Sequence, residues 1–251
     1  MNLEYIDIHS HLNSPKFKND IDEVIQRMRN NKVGTIVVGV DKETSIKAVG
    51  LADKYENVWA CVGFHPIDSK ESFDESFLED LIKNPKVVAI GECGLDYFHQ
   101  KDEERQKELF EKQIDFAVKH DLPLMLHVRD AQEDVLEILK EKKKEYGDKL
   151  RGNSHFFTST WEIAKEYFEI GFNVSFTGII TFTRDFDEII QKAPIDMIHI
   201  ETDSPYVSTH RGERNEPTYV VEVLKKIEEI RGEKVKEKLL ENANRFFNLS
   251  A

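Results

Sequence analysis

Two cysteines, Cys61 and Cys93, are the whole thiol content of the 251-residue sequence, and they form no C-x-x-C pair. No disulfide framework follows from them, and a reducing compartment is the expectation. Long apolar runs are missing as well. No stretch approaches ~18 apolar residues, so no membrane-crossing segment is expected. The opening MNLEYIDIHSH has neither the basic nor the apolar region of a secretory signal, which points to a cytoplasmic protein. Basic residues are in deficit: 35 Lys and Arg stand against 48 Asp and Glu, a net charge of −13. A field of that sign is unsuited to coating a polyanion, so any nucleic-acid contact has to be local or carried by bound cations. Gly-rich phosphate loops are absent, since neither G-x-G-x-x-G nor G-x-x-x-x-G-K-[ST] occurs. No Pro-, Gly- or Ser-rich linker divides the chain, which reads as one domain over residues 1–251.

What is present is a repeated unit: a short β-branched apolar run, a turn, then an amphipathic helical stretch. The runs are Leu3–His9, Gly34–Val40, Val58–Phe64, Val87–Glu92, Pro123–Val128, Gly152–Phe157, Phe172–Thr177 and Met197–Asp203. Several are apolar on both faces, as parallel strands covered on both sides must be. Helical patterns lie between them, over 20–31, 42–55, 74–83, 103–120, 131–146, 160–170 and 184–191. Two more follow, over 217–230 and 235–246. In the fourth, Leu109, Phe110, Ile114, Ala117 and Val118 share one face and charges hold the other. Eight strands alternating with helices leave a closed (β/α)8 TIM barrel or an open doubly wound sheet. The open sheet usually carries a Gly-rich fingerprint after its first strand. Here that strand ends in His-Ser-His, and the barrel is preferred.

Barrel enzymes place their chemistry at the C-terminal ends of the strands. Strand one ends in His9 and His11, strand four in Glu92, strand five in His127, strand six in His155 and strand eight in Asp203, with His65 just after strand three. Alternate strand residues project to one side, ~6.5–7 Å apart, so His9 and His11 can chelate one ion. Histidine and carboxylate donors suit Zn2+ or Mn2+, and carboxylates with water suit Mg2+. Six such residues make a two-metal site plausible, with Glu92 as the anionic bridge and Asp203 as a ligand able to accept a proton from water. Two divalent ions held together suit phosphoester hydrolysis.

Five blocks in order carry a resemblance. IDIHSHL is similar to a D-x-H-x-H signature, VGFHP to a G-x-H-P element and AIGECGLDY to a G-E-x-G-L-D-Y block. LMLHVRDA is similar to H-x-R-[DE]-A, and ETDSPYV with RGERNEP to an E-T-D-x-P-[YF]-L … R-x-x-x-N-x-P ending. Over nearly its full length the chain resembles the TatD-like metal-dependent hydrolases of the amidohydrolase superfamily. The resemblance implies a barrel, divalent metal and hydrolysis of DNA phosphodiesters by a metal-activated water, often from the 3′ end. Carried over by motif, one ion would take His9, His11, Glu92 and Asp203, and the other Glu92, His127 and His155. One departure stands out: where the family commonly reads H-C-F-[ST]-G, this chain reads His155-Phe156-Phe157-Thr158-Ser159.

The same rim offers candidates for substrate contact. His65 could bond a phosphate or cap its strand. Arg129 could fork a phosphate or pair with Asp130 or Asp134. Arg211, Arg214 and Asn215 form a short polar and cationic cluster that could hold a nucleic-acid end, and Tyr97 and Phe98 could stack on a base. Asp7 and Glu201 lie two residues before His9 and Asp203, and are expected in hydrogen-bonded supporting roles. His99, His120, His199 and His210 are assigned to packing, capping or solvent, and Cys93 to the core. The expected enzyme is thus a monomeric hydrolase acting on a DNA end, single-stranded by preference. The competing substrates are esters and amides, such as an aminoacyl-tRNA ester, a small lactone or a phosphomonoester.

Overall fold

The computed structural model describes residues 2–67, 72–99 and 102–249. Its eight strands are β1 (Tyr5–Ser10), β2 (Val33–Val38), β3 (Val58–Val62), β4 (Val87–Asp96), β5 (Leu124–Arg129), β6 (Gly152–Ser154), β7 (Asn173–Phe176) and β8 (Ile198–Ile200). They pair in sequential order, every neighbour parallel. The ring closes at one end only. There Asp203 N–H donates to the His9 carbonyl at 2.9 Å, and His11 N–H to the Ser204 carbonyl at 2.7 Å. The sheet is therefore a nearly closed (β/α)8 barrel, as the alternation predicts.

The outer layer is α1 (Ile21–Asn30), α2 (Lys42–Lys54), α3 (Glu75–Leu81), α4 (Glu103–Lys119), α5 (Gln132–Tyr146), α6 (Trp161–Glu169), α7 (Asp187–Lys192), α8 (Val220–Arg231) and α9 (Lys236–Phe246). Local chemistry sets their starts. Asp41 accepts from Thr44 N–H at the head of α2 while Thr44 Oγ1 accepts from Asp41 N–H, a reciprocal cap; Asp74 and Thr160 cap α3 and α6. Leu109, Phe110, Ile114 and Ala117 of α4 are buried against the sheet, and Val118 is partly so.

Two apolar layers follow from the period of two along a strand. Val33 and Val37 of β2 join the layer under the helices, whereas Ile36 and Val38 join Ile6, Ile8, Cys61, Ala89 and Met125 in a second cluster inside the ring. Phe247 and Leu249 pack into that second cluster. The register slips between Asp7 and Ser10, between Ala60 and Cys61, and between Ile90 and Cys93. Such irregularities re-aim side chains, and two of these three flank His9 and Glu92.

Three strand ends differ from expectation by three residues or more. β4 runs on to Asp96, while β6 stops before His155 and β8 before Asp203. Phe156 (φ 46°) and Asp203 (φ 54°) take left-handed backbone there, which turns the chain off the sheet. β4 continues because Gly94 (φ 133°) lets it lie tight on β5: a Cβ at 94 would sit 2.1 Å from the His127 carbonyl oxygen.

Candidate active site

The closing end of the barrel gathers the predicted ligands around Glu92, which is buried. Its two oxygens face different groups. Oε2 lies 3.5 Å from His9 Nε2 and 3.7 Å from His11 Nε2. Oε1 lies 3.0 Å from His127 Nδ1, 3.0 Å from His155 Nε2 and 3.6 Å from His65 Nε2. Asp203 Oδ1 stands beside the first set, 3.4 Å from His11 Nε2 and 3.9 Å from His9 Nε2. The His9 and His155 rings stack, centroids 3.9 Å apart.

Charge is balanced within this cluster. Burial pushes the Glu92 carboxyl up, but His155, His65 and His127 outweigh it and hold it well below the usual range. Asp203 is likewise held down by His11 against its burial. Burial acts downward on all five histidines of the cluster. It prevails at His9, and at His65, which falls to about 3. The facing carboxylates prevail at His11, His127 and His155, which are pushed up.

The donors fit a divalent cation. Three sets lie close enough to hold one: His9, His155 and Asp203; His9, His11 and Glu92; and His65, Glu92 and His127. The Nε2 atoms of His9 and His11 face each other at 3.2 Å, an arrangement that a shared cation would satisfy. Histidine nitrogen with carboxylate oxygen is the donor mix of borderline divalent ions.

Supporting groups surround these donors. Asp7 is fully buried; its Oδ1 accepts from Thr202 N–H at 2.8 Å and His9 N–H at 3.2 Å, and its Oδ2 from Thr202 Oγ1 at 2.7 Å. Burial pushes its carboxyl up to about 8. It thus ties the backbone of β1 to the chain after β8, and it holds His9 through the backbone N–H, while the ring Nδ1 of His9 has no hydrogen-bond partner among the described residues. Glu201 accepts from Phe156 N–H at 2.5 Å and Ser175 Oγ at 2.7 Å, and its Oε1 lies 3.6 Å from His155 Nδ1. It so secures the turn that replaces the family's usual residues after the histidine.

One important residue was missed. Asp96 Oδ2 lies 2.9 Å from His127 Nε2 and 2.9 Å from His99 Nδ1, and Oδ1 accepts from His99 N–H at 2.9 Å. Burial opposes ionisation of Asp96, but the His127 and His99 hydrogen bonds hold it well below the usual range. The signal was present: Glu92, Gly94 and Asp96 alternate along one strand, and were separated only because the strand was ended at Glu92. His99, assigned to the surface, is half exposed but is the outer clamp of that carboxylate. With His127 as a ligand, Asp96→Asn is expected to weaken metal binding about tenfold, read by calorimetric titration of metal-depleted protein; an unchanged affinity would show that Asp96 does not orient the ring.

The candidate substrate residues divide. His65, Tyr97 and Arg129 line the cavity above the cluster. Tyr97 donates to Asp134, which Lys107 also pairs, and the Arg129 guanidinium lies 4.5 Å from the Phe98 ring centroid. Asn215 is a correction. It is buried and its amide donates to the carbonyls of Thr202, Tyr206 and Val207, so it clamps the loop after β8 instead of facing the cavity. Arg214 pairs with Asp20 and stacks on Phe17, joining distant parts of the chain. Arg211 is exposed on the same loop, away from the cavity lining. His199 packs on Phe246 and Phe247, His210 pairs with Glu222 and His120 ends α4. Cys93 is buried, and burial pushes its thiol up.

Comparison with known proteins agrees with this geometry. The family described as TatD related DNase matches residues 6–248. The uncharacterized metal-dependent hydrolase YabD of Bacillus subtilis is 39% identical over 255 residues, covering 97% of this chain and 99% of that one. The 3′-5′ ssDNA/RNA exonuclease TatD of Cronobacter sakazakii is 34% identical over 241 residues, 90% of each. The crystal structure of YjjV, a TatD homolog from Escherichia coli K12, matches with a TM-score of 0.91 at 27% identity over the full length of both chains. Barrel, strand-end donors and relatives together define a metal-dependent hydrolase with an amidohydrolase-like fold. Within that class, the chain belongs to the TatD related DNase family. No helix among the described residues is long and apolar enough to cross a membrane.

Proposed function

We propose that the protein removes nucleotides from the 3′ end of single-stranded DNA with two divalent ions as cofactors. The observation that carries this reading is the two-sidedness of Glu92. Its Oε2 faces His9 and His11, with Asp203 beside them, and its Oε1 faces His127 and His155. That is how a bridging carboxylate divides two ligand sets. When bound, divalent ions supply positive charge that polarises a phosphoryl oxygen and acidifies water. Asp203, ionised and at the edge of the cluster, takes the proton of the attacking water. Arg129 on the cavity wall and His65 beside Glu92 orient the phosphate. The cavity above, about 1610 Å³, exceeds the ~300–1,000 Å³ of ordinary small-molecule pockets and suits the end of a polymer. The named activity of the Cronobacter relative agrees with this substrate class.

The test is 5′-labelled single-stranded DNA with metal-stripped protein, restoring Mg2+, Mn2+ or Zn2+ in turn. Stepwise 3′ shortening that requires metal is expected. Intact DNA in every lane, from protein shown to rebind metal and to hydrolyse model esters, would move the substrate to esters or amides.

A further inference from the structure

Four large apolar side chains are exposed among the described residues, and two of them bear a cation on the ring: Tyr206 (50% exposed), which lines the active-site cavity, and Phe98 (59%), which lies between the lining residues Tyr97 and His99 in the chain. Lys16 Nζ lies 4.7 Å from the Tyr206 centroid, and Arg129 Cζ 4.5 Å from that of Phe98. Each ring also borders the chemistry. Tyr206 sits edge-on to His11, centroids 6.1 Å apart, and Phe98 edge-on to His99, centroids 4.8 Å apart, where His99 holds the Asp96 carboxylate behind His127.

The barrel order places these pairs across from each other. Tyr206 follows β8, which closes on β1, while Phe98 and Arg129 stand at the ends of β4 and β5, half-way round the ring. The two cations share one property. Most lysines and arginines here pair with a carboxylate, yet among the described residues neither Lys16 nor Arg129 does, although acidic groups line the same cavity. An aromatic face beside an unneutralised cation recognises a base and its phosphate together. A chain of net charge −13 gains most from cations confined to such points.

We propose that Tyr206 with Lys16, and Phe98 with Arg129, are two base-stacking subsites that grip single-stranded nucleic acid on either side of the bond being cut. This rests on the nuclease reading above and adds where the bases go. The separation of the two rings argues against a protein-docking patch, which would be contiguous. The subsites read the π-face of any base, so they confer preference for unpaired ends without sequence preference.

The experiment uses the metal-loaded enzyme, Tyr206→Leu and Phe98→Leu. Its substrates are a single-stranded oligonucleotide, the same strand with abasic sites at its two 3′-terminal positions, and bis(p-nitrophenyl) phosphate. Wild type is expected to favour the base-bearing end about a hundredfold in kcat/KM, about tenfold from each subsite. Each variant should lose about tenfold of that preference, and Leu in place of an exposed ring puts folding at no risk. Variants that discriminate between intact and abasic ends as well as wild type does would overturn the subsites. Wild type that cleaves oligonucleotides with no base preference would do the same while leaving the nuclease reading in place. Wild type that hydrolyses only the small diester would remove the nuclease reading itself.

Discussion

Glu92→Gln should abolish metal-dependent hydrolysis, by about a thousandfold or more, while leaving the barrel folded. The substitution keeps shape and hydrogen-bonding capacity but removes the one charge that both histidine groups share. Glu92 Oε1 and Oε2 lie within 3.7 Å of five histidines, and His155 and His127 are pushed up partly by this carboxylate. Without it an amide nitrogen or oxygen must face each set, and neither supplies the anionic bridge that two like-charged ions require. The metal content per chain should fall with the activity, and circular dichroism should stay that of wild type. Two readouts separate the possibilities. Lost activity with full metal content would make Glu92 a group acting on substrate, and retained activity would end the bridging role.

The sequence made most of this centre legible because strand ends announce themselves. An apolar run stops, and a histidine or carboxylate stands at the stop. That rule found His9, His11, Glu92, His127, His155 and Asp203, which the fold brings to one cluster. It failed where the run did not look finished. The fourth run was ended at Glu92, but Gly94 lets β4 continue tight against β5, and so Asp96 was hidden four residues further on. The loop after β8 was misread for another reason. Arg214 and Asn215 look like a solvent-facing grip in a local window, but the partner of Arg214 is Asp20, 194 residues away, and Asn215 folds its own loop. Pairing across that distance leaves no periodicity to read. Lys16 and Tyr206 are likewise distant in sequence, and their meeting at the cavity mouth appears only in the fold.

Metal loading should be strongly pH-dependent, and the sign follows from the histidines. His11, His127 and His155 have raised pKa values, His155 well above its ordinary range, so in metal-free protein these rings keep their protons to higher pH than free histidines do, facing Asp203, Glu92, Asp96 and Glu201. A cation needs the lone pairs those protons occupy. Loading therefore expels protons, up to three of them, and the overall binding constant falls by up to about a thousandfold per pH unit as the medium becomes more acid. Calorimetry at pH 7 in two buffers of different ionisation enthalpy counts the protons released; a count of zero would show that the rings are already neutral. The metal-free fold has the opposite dependence on its alkaline side. A histidine with a raised folded pKa contributes stability that is fully present below its unfolded value, near 6.5, and is lost as pH rises through the folded value. Glu92 and Asp203, with lowered values, contribute stability present above their unfolded values, near 4.5 and 3.8, and lost as pH falls through the folded ones. These groups therefore support the metal-free barrel best between about pH 5 and 6.5. Above that window the metal-free cluster weakens while the loaded one strengthens. The rise in Tm on adding metal should accordingly grow from pH 6 to pH 8, and a rise that stayed constant would mean that the protons and the cation do not compete for the same nitrogen atoms.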